Sequence, residues 1–405
     1  MVLPIIHEYL STQYNSVKCY LGYFLSIALP ASFSIVSFST FNTTQSMVNL
    51  AIGQSVGVIL CGFSCSNLWH RTSRIRLIEE QNKWVEKHNP NLSFKTSVIG
   101  ELGTLQVPPS PLKSRKNIIL CHGAGQGNAG YLNVLSNLSK EYNLHCVEWL
   151  GWGTSLRPHG SFNYDYFVNG IEKWRVASNI EGKFILVGHS MGSMLMCQYA
   201  LEYPQHVEQL ILCSVCGMVR APPIVQQPNS WWVNSQIVWH YFFKPVSWFK
   251  IMGPFTRMMM YKYIQRRFAW ANNKSGIHDL DKASLVEYHT QLLCQYPNRG
   301  ENAINLMLGP RAYPSGIPLG EKMVGKNYDN LHTSLLEYSF PLSFVYGSND
   351  WMDPSHAERV MWAMRDVGKV NVNLEILPNL GHLLYMEDPQ AFAEALKKCI
   401  KMYQN

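Results

Sequence analysis

From Cys19 to Trp69 the chain contains no Asp, Glu, Lys, Arg or His. So long an uncharged stretch is neither a solvated linker nor a basic nucleic-acid arm. It holds two runs, "CYLGYFLSIALPASFSIVSF" and "MVNLAIGQSVGVILCGFSCSNLW", each near the ~20 residues that cross a bilayer as helix. The opening "MVLPIIHEYLSTQYNS" lacks the basic start and short apolar core of a cleaved signal peptide. "HRTSRIR" follows, and its Arg71, Arg74 and Arg76 belong on the cytosolic or matrix side of a membrane. The expectation is a two-helix or re-entrant hairpin anchor within residues 1–70. A single anchor, a mitochondrial targeting region and a buried helix pair are the alternatives.

Charge is scarce throughout. Charged residues make up 15% of the 405, against 47% hydrophobic and 12% aromatic, which excludes a disordered chain. The net charge of +7 is small and scattered, so nucleic acid is not the expected partner, whereas an anionic lipid surface suits it. Ten cysteines lack regular spacing, and Cys121, Cys146, Cys197 and Cys213 sit in apolar runs as reduced core residues would. The one CxxC pair, Cys213 and Cys216, has no second pair, and there is no HExxH; no metal or other cofactor is expected. No internal repeat is visible.

Acid is missing once more from Ser230 to Trp270, where Lys244, Lys250, Arg257, Lys262, Arg266 and Arg267 stand among Trp, Phe, Tyr and Met. The plain reading is the core of a set of cap helices. Interfacial aromatics with snorkelling cations at a lipid surface are the alternative.

What is present is alternation. Short continuous apolar runs, "NIILC", "LHCVEWL", "FILVGH", "QLILCSV", "PLSFVYG" and "VNLEILP", suit buried parallel strands, and helical stretches lie between them. That order predicts an α/β fold with a mostly parallel central sheet. The expected divisions are a hydrophobic N-terminal region at 1–70, a linker helix and first strand at 71–105, a first core half at 106–217, a cap insertion at 218–340 and a second core half at 341–405.

"FILVGHSMGSML" places Ser190 between Gly188 and Gly192 directly after a buried strand. A serine hydroxyl is a poor nucleophile until a base takes its proton and donors stabilise the oxyanion. A strand–Gly-x-Ser-x-Gly–helix turn supplies the geometry for both. Ser190 is therefore the candidate nucleophile, with the Met191 amide as one oxyanion donor at the helix start. The second donor is expected in "CHGAGQGNAG", at the Ala124 amide. Gly125, Gly127 and Gly130 there also match GxGxxG, and Glu148 ends the next strand where a ribose-binding acid belongs. A dinucleotide loop turns tightly at the strand end, however, and Cys121–Ala124 intervene; that reading also leaves "GHSMG" unexplained.

The base and acid are expected after the serine in the order acid, then His. "GSNDWMD" offers Asp350 at a strand-end turn, with Asp353 in reserve, and "NLGHLLYMEDP" offers His382. His382 would carry the Ser190 proton to the leaving group while Asp350 fixes its tautomer.

Together "CHGAGQG", "LGWGTSLRP", "NGIEKWRVA", "LVGHSMGS", "YGSNDWMD" and "LGHLLYMEDP" make the span from about Arg76 to the C-terminus resemble one α/β-hydrolase subfamily. It includes the lipid-droplet co-activator of triglyceride lipase, the N-acyl-phosphatidylethanolamine lysophospholipase and the yeast cardiolipin-specific phospholipase. The co-activator has lost its nucleophile; Ser190 is present here, so the resemblance implies an active hydrolase. Members credited with lysophosphatidate acyltransfer carry a His, four residues and an Asp, whereas here Glu387 holds that place and Asp388 lies one step beyond. The resemblance implies a membrane-associated hydrolase of phospholipid or lysophospholipid acyl esters, at the endoplasmic reticulum, a lipid droplet or a mitochondrial membrane. Acyl transfer and a non-catalytic lipase-regulating role on a lipid droplet are the alternatives.

Overall fold

The computed structural model describes residues 72–108, 116–160, 163–220, 249–250, 255–267, 282–295, 300, 307–309, 312–324, 339–366, 368–369 and 371–403. The hairpin expected over Cys19–Trp69 lies outside them. Among the described residues no helix is long and apolar enough to cross a membrane.

Eight strands form one sheet: β1 (Lys95–Ile99), β2 (Leu102–Val107), β3 (Asn117–Cys121), β4 (Asn143–Val147), β5 (Phe184–His189), β6 (Val207–Cys213), β7 (Leu342–Gly347) and β8 (Val372–Leu377). Their spatial order is β1-β2-β4-β3-β5-β6-β7-β8. From β4 to β8 every pairing is parallel, while β2 runs antiparallel to both β1 and β4. The continuous apolar runs became the parallel strands because both faces are covered: β5 and β7 are buried at every residue. The sequence pattern did not reveal β1 and β2 as a hairpin, since β1 is only half-buried and reads as a polar segment.

The helices are α1 (Arg74–His88), α2 (Leu132–Leu138), α3 (Tyr164–Ala177), α4 (Met191–Glu202), α5 (Thr256–Arg267), α6 (Lys282–Leu293), α7 (Leu319–Val324), α8 (Pro354–Asp366), α9 (Leu384–Glu387) and α10 (Pro389–Lys401). Helix α1 begins where the Ser73 hydroxyl accepts the Arg76 N–H, and it buries Leu77, Gln81, Trp84 and Val85 along one stripe. Helix α4 has no such stripe: ten of its twelve residues are buried, as befits a helix wedged against the sheet behind the serine. The "IEKWR" motif is structural. Glu172 pairs with Arg175 at 2.7 Å and accepts the Tyr199 hydroxyl, tying α3 to α4, while the Trp174 indole donates to Thr104 on β2.

Between β6 and β7 lie α5, α6 and α7. Helix α5 buries Thr256, Met260 and Ile264 at a spacing of four and turns Met258, Tyr261 and Tyr263 outward, with the preceding Phe255 exposed as well. The basic residues expected at a lipid surface divide here. Lys250 is fully buried and donates to the Gln295 carbonyl, and Arg257 pairs with Glu287 at 3.0 Å, so these two serve the fold; Lys262 and Arg266 are exposed. Lys244 and the Arg267 side chain lie outside the described residues.

Candidate active site

Ser190 sits at φ 54° and ψ −117°, in the left-handed region that residues with side chains avoid. Such a conformation costs on the order of 1–3 kcal/mol and persists only where the surroundings over-determine it. They do so through the Ser190 N–H, which donates to Cys213 O at 2.8 Å, and through Ser193, whose hydroxyl lies 2.7 Å from Gly188 O and accepts the Cys213 N–H. The flanking glycines answer to close approach. A Cβ on Gly188 would lie 2.5 Å from Ser193 Cα, and one on Gly192 would lie 2.5 Å from the carbonyl oxygens of Cys121 and His122. Helix α4 can start against β3 and β5 only without those side chains. Its first turn, beginning at Met191, presents N–H groups that have no partner within the helix.

The loop after β3 lies against the serine. A Cβ on Gly123 would stand 2.9 Å from Ser190 Cβ, so the loop borders the serine; Ala124, its next residue, is exposed, whereas Met191 is buried. Two indoles that sequence reasoning passed over fix this loop by its carbonyls. Trp149 Nε1 donates to His122 O at 3.0 Å and Trp152 Nε1 to Gln126 O at 2.7 Å. Both come from "WLGWG", residues 149–153, and both are buried. Within the loop the Gln126 N–H donates to Gly123 O at 3.3 Å.

His382 Nδ1 donates to Asp350 Oδ1 at 2.9 Å, and the Asp350 side chain is wholly buried. With its proton on Nδ1, the ring offers a lone pair at Nε2, the state a general base requires. Burial alone would push the Asp350 carboxyl up. The imidazole of His382, the Ser214 hydroxyl and the Met352 N–H together bring it below the usual carboxylate range. Asp353 is placed differently. Its carboxylate accepts the Ser355 N–H at 2.9 Å and opens α8, with a side chain that is 57% exposed. The Ser190 hydroxyl closes no hydrogen bond onto His382 here, which is common in a site without substrate. His189, the residue before the serine, has its ring centroid 4.8 Å from that of His382.

Glu148, where a ribose-binding acid would stand, faces inward. Its carboxylate accepts the Thr154 N–H and hydroxyl, both at 2.5 Å, and the Asn128 N–H at 3.4 Å. Gly127 of the GxGxxG match is needed because a Cβ there would meet the Tyr288 hydroxyl at 2.3 Å and Glu148 at 2.9 Å. Of the three glycines only Gly127 answers to the buried carboxylate: Gly125 sits at φ 80° with open space beside it, and a Cβ on Gly130 would meet the Tyr385 ring at 3.1 Å. No group of His, Cys, Asp and Glu suited to a metal occurs among the described residues. Cys213 and Cys216 are both buried, and burial pushes their thiols up.

A family profile described as alpha/beta hydrolase family, Abhydrolase_6, matches residues 118–395. Among similar proteins, a 1-acylglycerol-3-phosphate O-acyltransferase of Arabidopsis thaliana is 25% identical over 69% of this chain and 65% of its own length. The chain therefore spans just under two thirds of that relative. A (lyso)-N-acylphosphatidylethanolamine lipase of Bos taurus is 27% identical over 72% of this chain and 81% of its own. A solved structure of a putative lipase from Acinetobacter baumannii shares the fold, with a TM-score of 0.54 at 14% identity, covering 82% of this chain and 97% of that one. The chain belongs to the alpha/beta hydrolase family.

Proposed function

We propose that this alpha/beta hydrolase cleaves an acyl ester of a phospholipid or lysophospholipid through an acyl-enzyme on Ser190. The observation that carries the reading is the His382–Asp350 pair, held at 2.9 Å beside the strained serine turn. In the first step His382 Nε2 takes the Ser190 proton as Oγ attacks the ester carbonyl. The Ala124 and Met191 amides receive the oxyanion, and His382 returns the proton to the departing alcohol. Water, activated by the same imidazole, then releases the fatty acid. Asp350 stabilises the imidazolium at each stage.

A lipid substrate is supported by the names of the relatives and by exposed aromatics at the site and on the segment between β6 and β7. Trp351, 60% exposed, has its ring centroid 5.0 Å from that of His382, and Phe255 with Met258, Tyr261 and Tyr263 of α5 is exposed alongside Lys262 and Arg266. Such a surface suits entry from an anionic bilayer or droplet. Association with the endoplasmic reticulum, a lipid droplet or a mitochondrial membrane is part of the same proposal, with the uncharged span Cys19–Trp69 as anchor. The second reading, capture of the acyl group by a lysophospholipid in place of water, is favoured by the acyltransferase named among the relatives.

The test is covalent. A fluorophosphonate probe should label the wild type, and Ser190→Ala should abolish both labelling and ester hydrolysis, a loss of on the order of 10⁶-fold in kcat for a unit of this kind. Labelling that survives in Ser190→Ala removes the reading. Product analysis on phospholipid vesicles, with and without added lysophosphatidate, separates hydrolysis from transfer.

A further inference from the structure

His382 occupies irregular backbone between β8 and α9, and nothing in such a segment by itself holds an imidazole in register with a serine on another element. The structure supplies three holds, and all act on the backbone around the ring. The Glu387 carboxylate accepts the Gly381 N–H at 2.5 Å on one oxygen and the Leu383 N–H at 3.2 Å on the other. From the opposite side His189 Nε2 donates to the His382 carbonyl at 2.7 Å. Glu387 is 3% exposed and His189 is 1% exposed, so water does not replace either partner.

We infer that Glu387 and His189 form a clamp on the His382 peptide and that Glu387 is a positioning residue for the base. Two N–H donors converge on the side chain at 387, and only a carboxylate presents an acceptor to each. His189 gives the clamp its second function. It directly precedes Ser190 at the end of β5, so its ring ties the base loop to the same turn that carries the nucleophile. Its tautomer is set accordingly: Nε2 donates to His382 O, and Nδ1 faces the Tyr385 hydroxyl at 3.4 Å. The missing side chain at Gly123 makes room for this ring, since a Cβ there would lie 2.7 Å from His189 Nδ1.

The inference rests on the hydrolase reading above, and its test separates the two. Fluorophosphonate titration counts competent serines, and kcat is then expressed per titrated serine, which discounts misfolded protein. Glu387→Gln replaces one acceptor by a donor facing an N–H. It should lower kcat per titrated serine by about 10- to 100-fold with KM changed less than about twofold, the scale of a base displaced by up to an ångström. Glu387→Asp keeps the carboxylate on a shorter stem and should recover part of the loss. Should Glu387→Gln not fold, His189→Leu tests the other jaw and should show the same split, with His189→Gln, which retains an N–H donor, recovering part of it. Wild-type kcat per titrated serine in folded Glu387→Gln, or in His189→Leu if that is the variant obtained, overturns the clamp. The hydrolase reading fails independently, through labelling that persists in Ser190→Ala.

Discussion

Two buried carboxylates stand on opposite sides of the serine turn, and they have been driven in opposite directions. Asp350, after β7, is buried against the imidazole of His382 and lies below the usual carboxylate range despite its desolvation. Glu148, after β4, is equally buried, but its close partners are the neutral Thr154 and Asn128. Desolvation prevails there and pushes it up to about 6. Burial does not decide the outcome; the partner's ability to carry charge does. The Asp350 side pairs a carboxylate with a ring that can carry charge. The Glu148 side is built to hold the loop that carries Ala124.

The largest way to break this contrast is to neutralise the first carboxylate. Asp350→Asn keeps the shape but cannot stabilise the imidazolium, and it should lower kcat by on the order of 10⁴-fold. Asp353→Asn is the control. It weakens a helix-start contact worth about 1 kcal/mol and should leave kcat within about twofold. If kinetics rank the two variants the other way, Asp353 is the acid.

A smaller effect is expected on the loop side, where geometry and not charge is at stake. Trp152→Phe keeps an aromatic ring, smaller than the buried indole, and removes the N–H from Gln126 O. Losing an oxyanion donor outright costs about 10²–10³-fold; loosening the loop that positions one should cost less, about tenfold in kcat with KM nearly unchanged. A variant with wild-type kcat would mean that the loop holds its place without Trp152, leaving Trp149 and the Glu148 contacts to do so.

The two sides also differ in how far they could be read from sequence. The serine turn was legible because its chemistry forces glycines where backbones touch, and Gly188 and Gly192 stand where any Cβ would collide. The candidate acid and base were chosen by their places after β7 and β8, and the fold sets Asp350 and His382 2.9 Å apart. The loop side was harder. Glu148 and the GxGxxG spacing imitate a nucleotide site, and only the inward contacts to Thr154 and Asn128 show what the acid faces. The indoles of "WLGWG" act through carbonyls 26 and 27 residues away, and no local pattern announces such a bond. Glu387 was noticed only as a departure from an acyltransfer motif, although its contacts are to the backbone beside His382. The β1–β2 hairpin escaped because half-buried antiparallel strands lack the continuous apolar runs that marked the parallel ones.

The smallest expected effect is thermodynamic, and it follows from the sign of each shift. Glu148 titrates at about 6 when folded against a reference of 4.5, so its contribution to stability is complete below pH 4.5 and is lost as pH rises through about 6. The loss amounts to about 2 kcal/mol. Asp350 has the opposite sign, and its contribution is lost only as pH falls below the reference value of 3.8. Three buried imidazoles also oppose Glu148. Desolvation lowers His122 and His289 to about 4 and His189 to about 3, so each destabilises the fold as pH falls below 6.5. Each is displaced further than Glu148, so the wild type should gain net stability from pH 4.5 to 6.5. Against that rise Glu148 is visible only as a difference. In urea melts from pH 4.5 to 7.5, Glu148→Gln should start less stable than wild type, because its amide cannot accept from all the donors that converge there. The gap should then shift by about 2 kcal/mol in the variant's favour as pH passes 6, while activity at neutral pH stays within about threefold. Parallel stability curves across that range would mean that Glu148 ionises alike in the folded and unfolded chain, with the Arg157 charge and the hydrogen bonds offsetting its desolvation, and the contrast between the two carboxylates would fall.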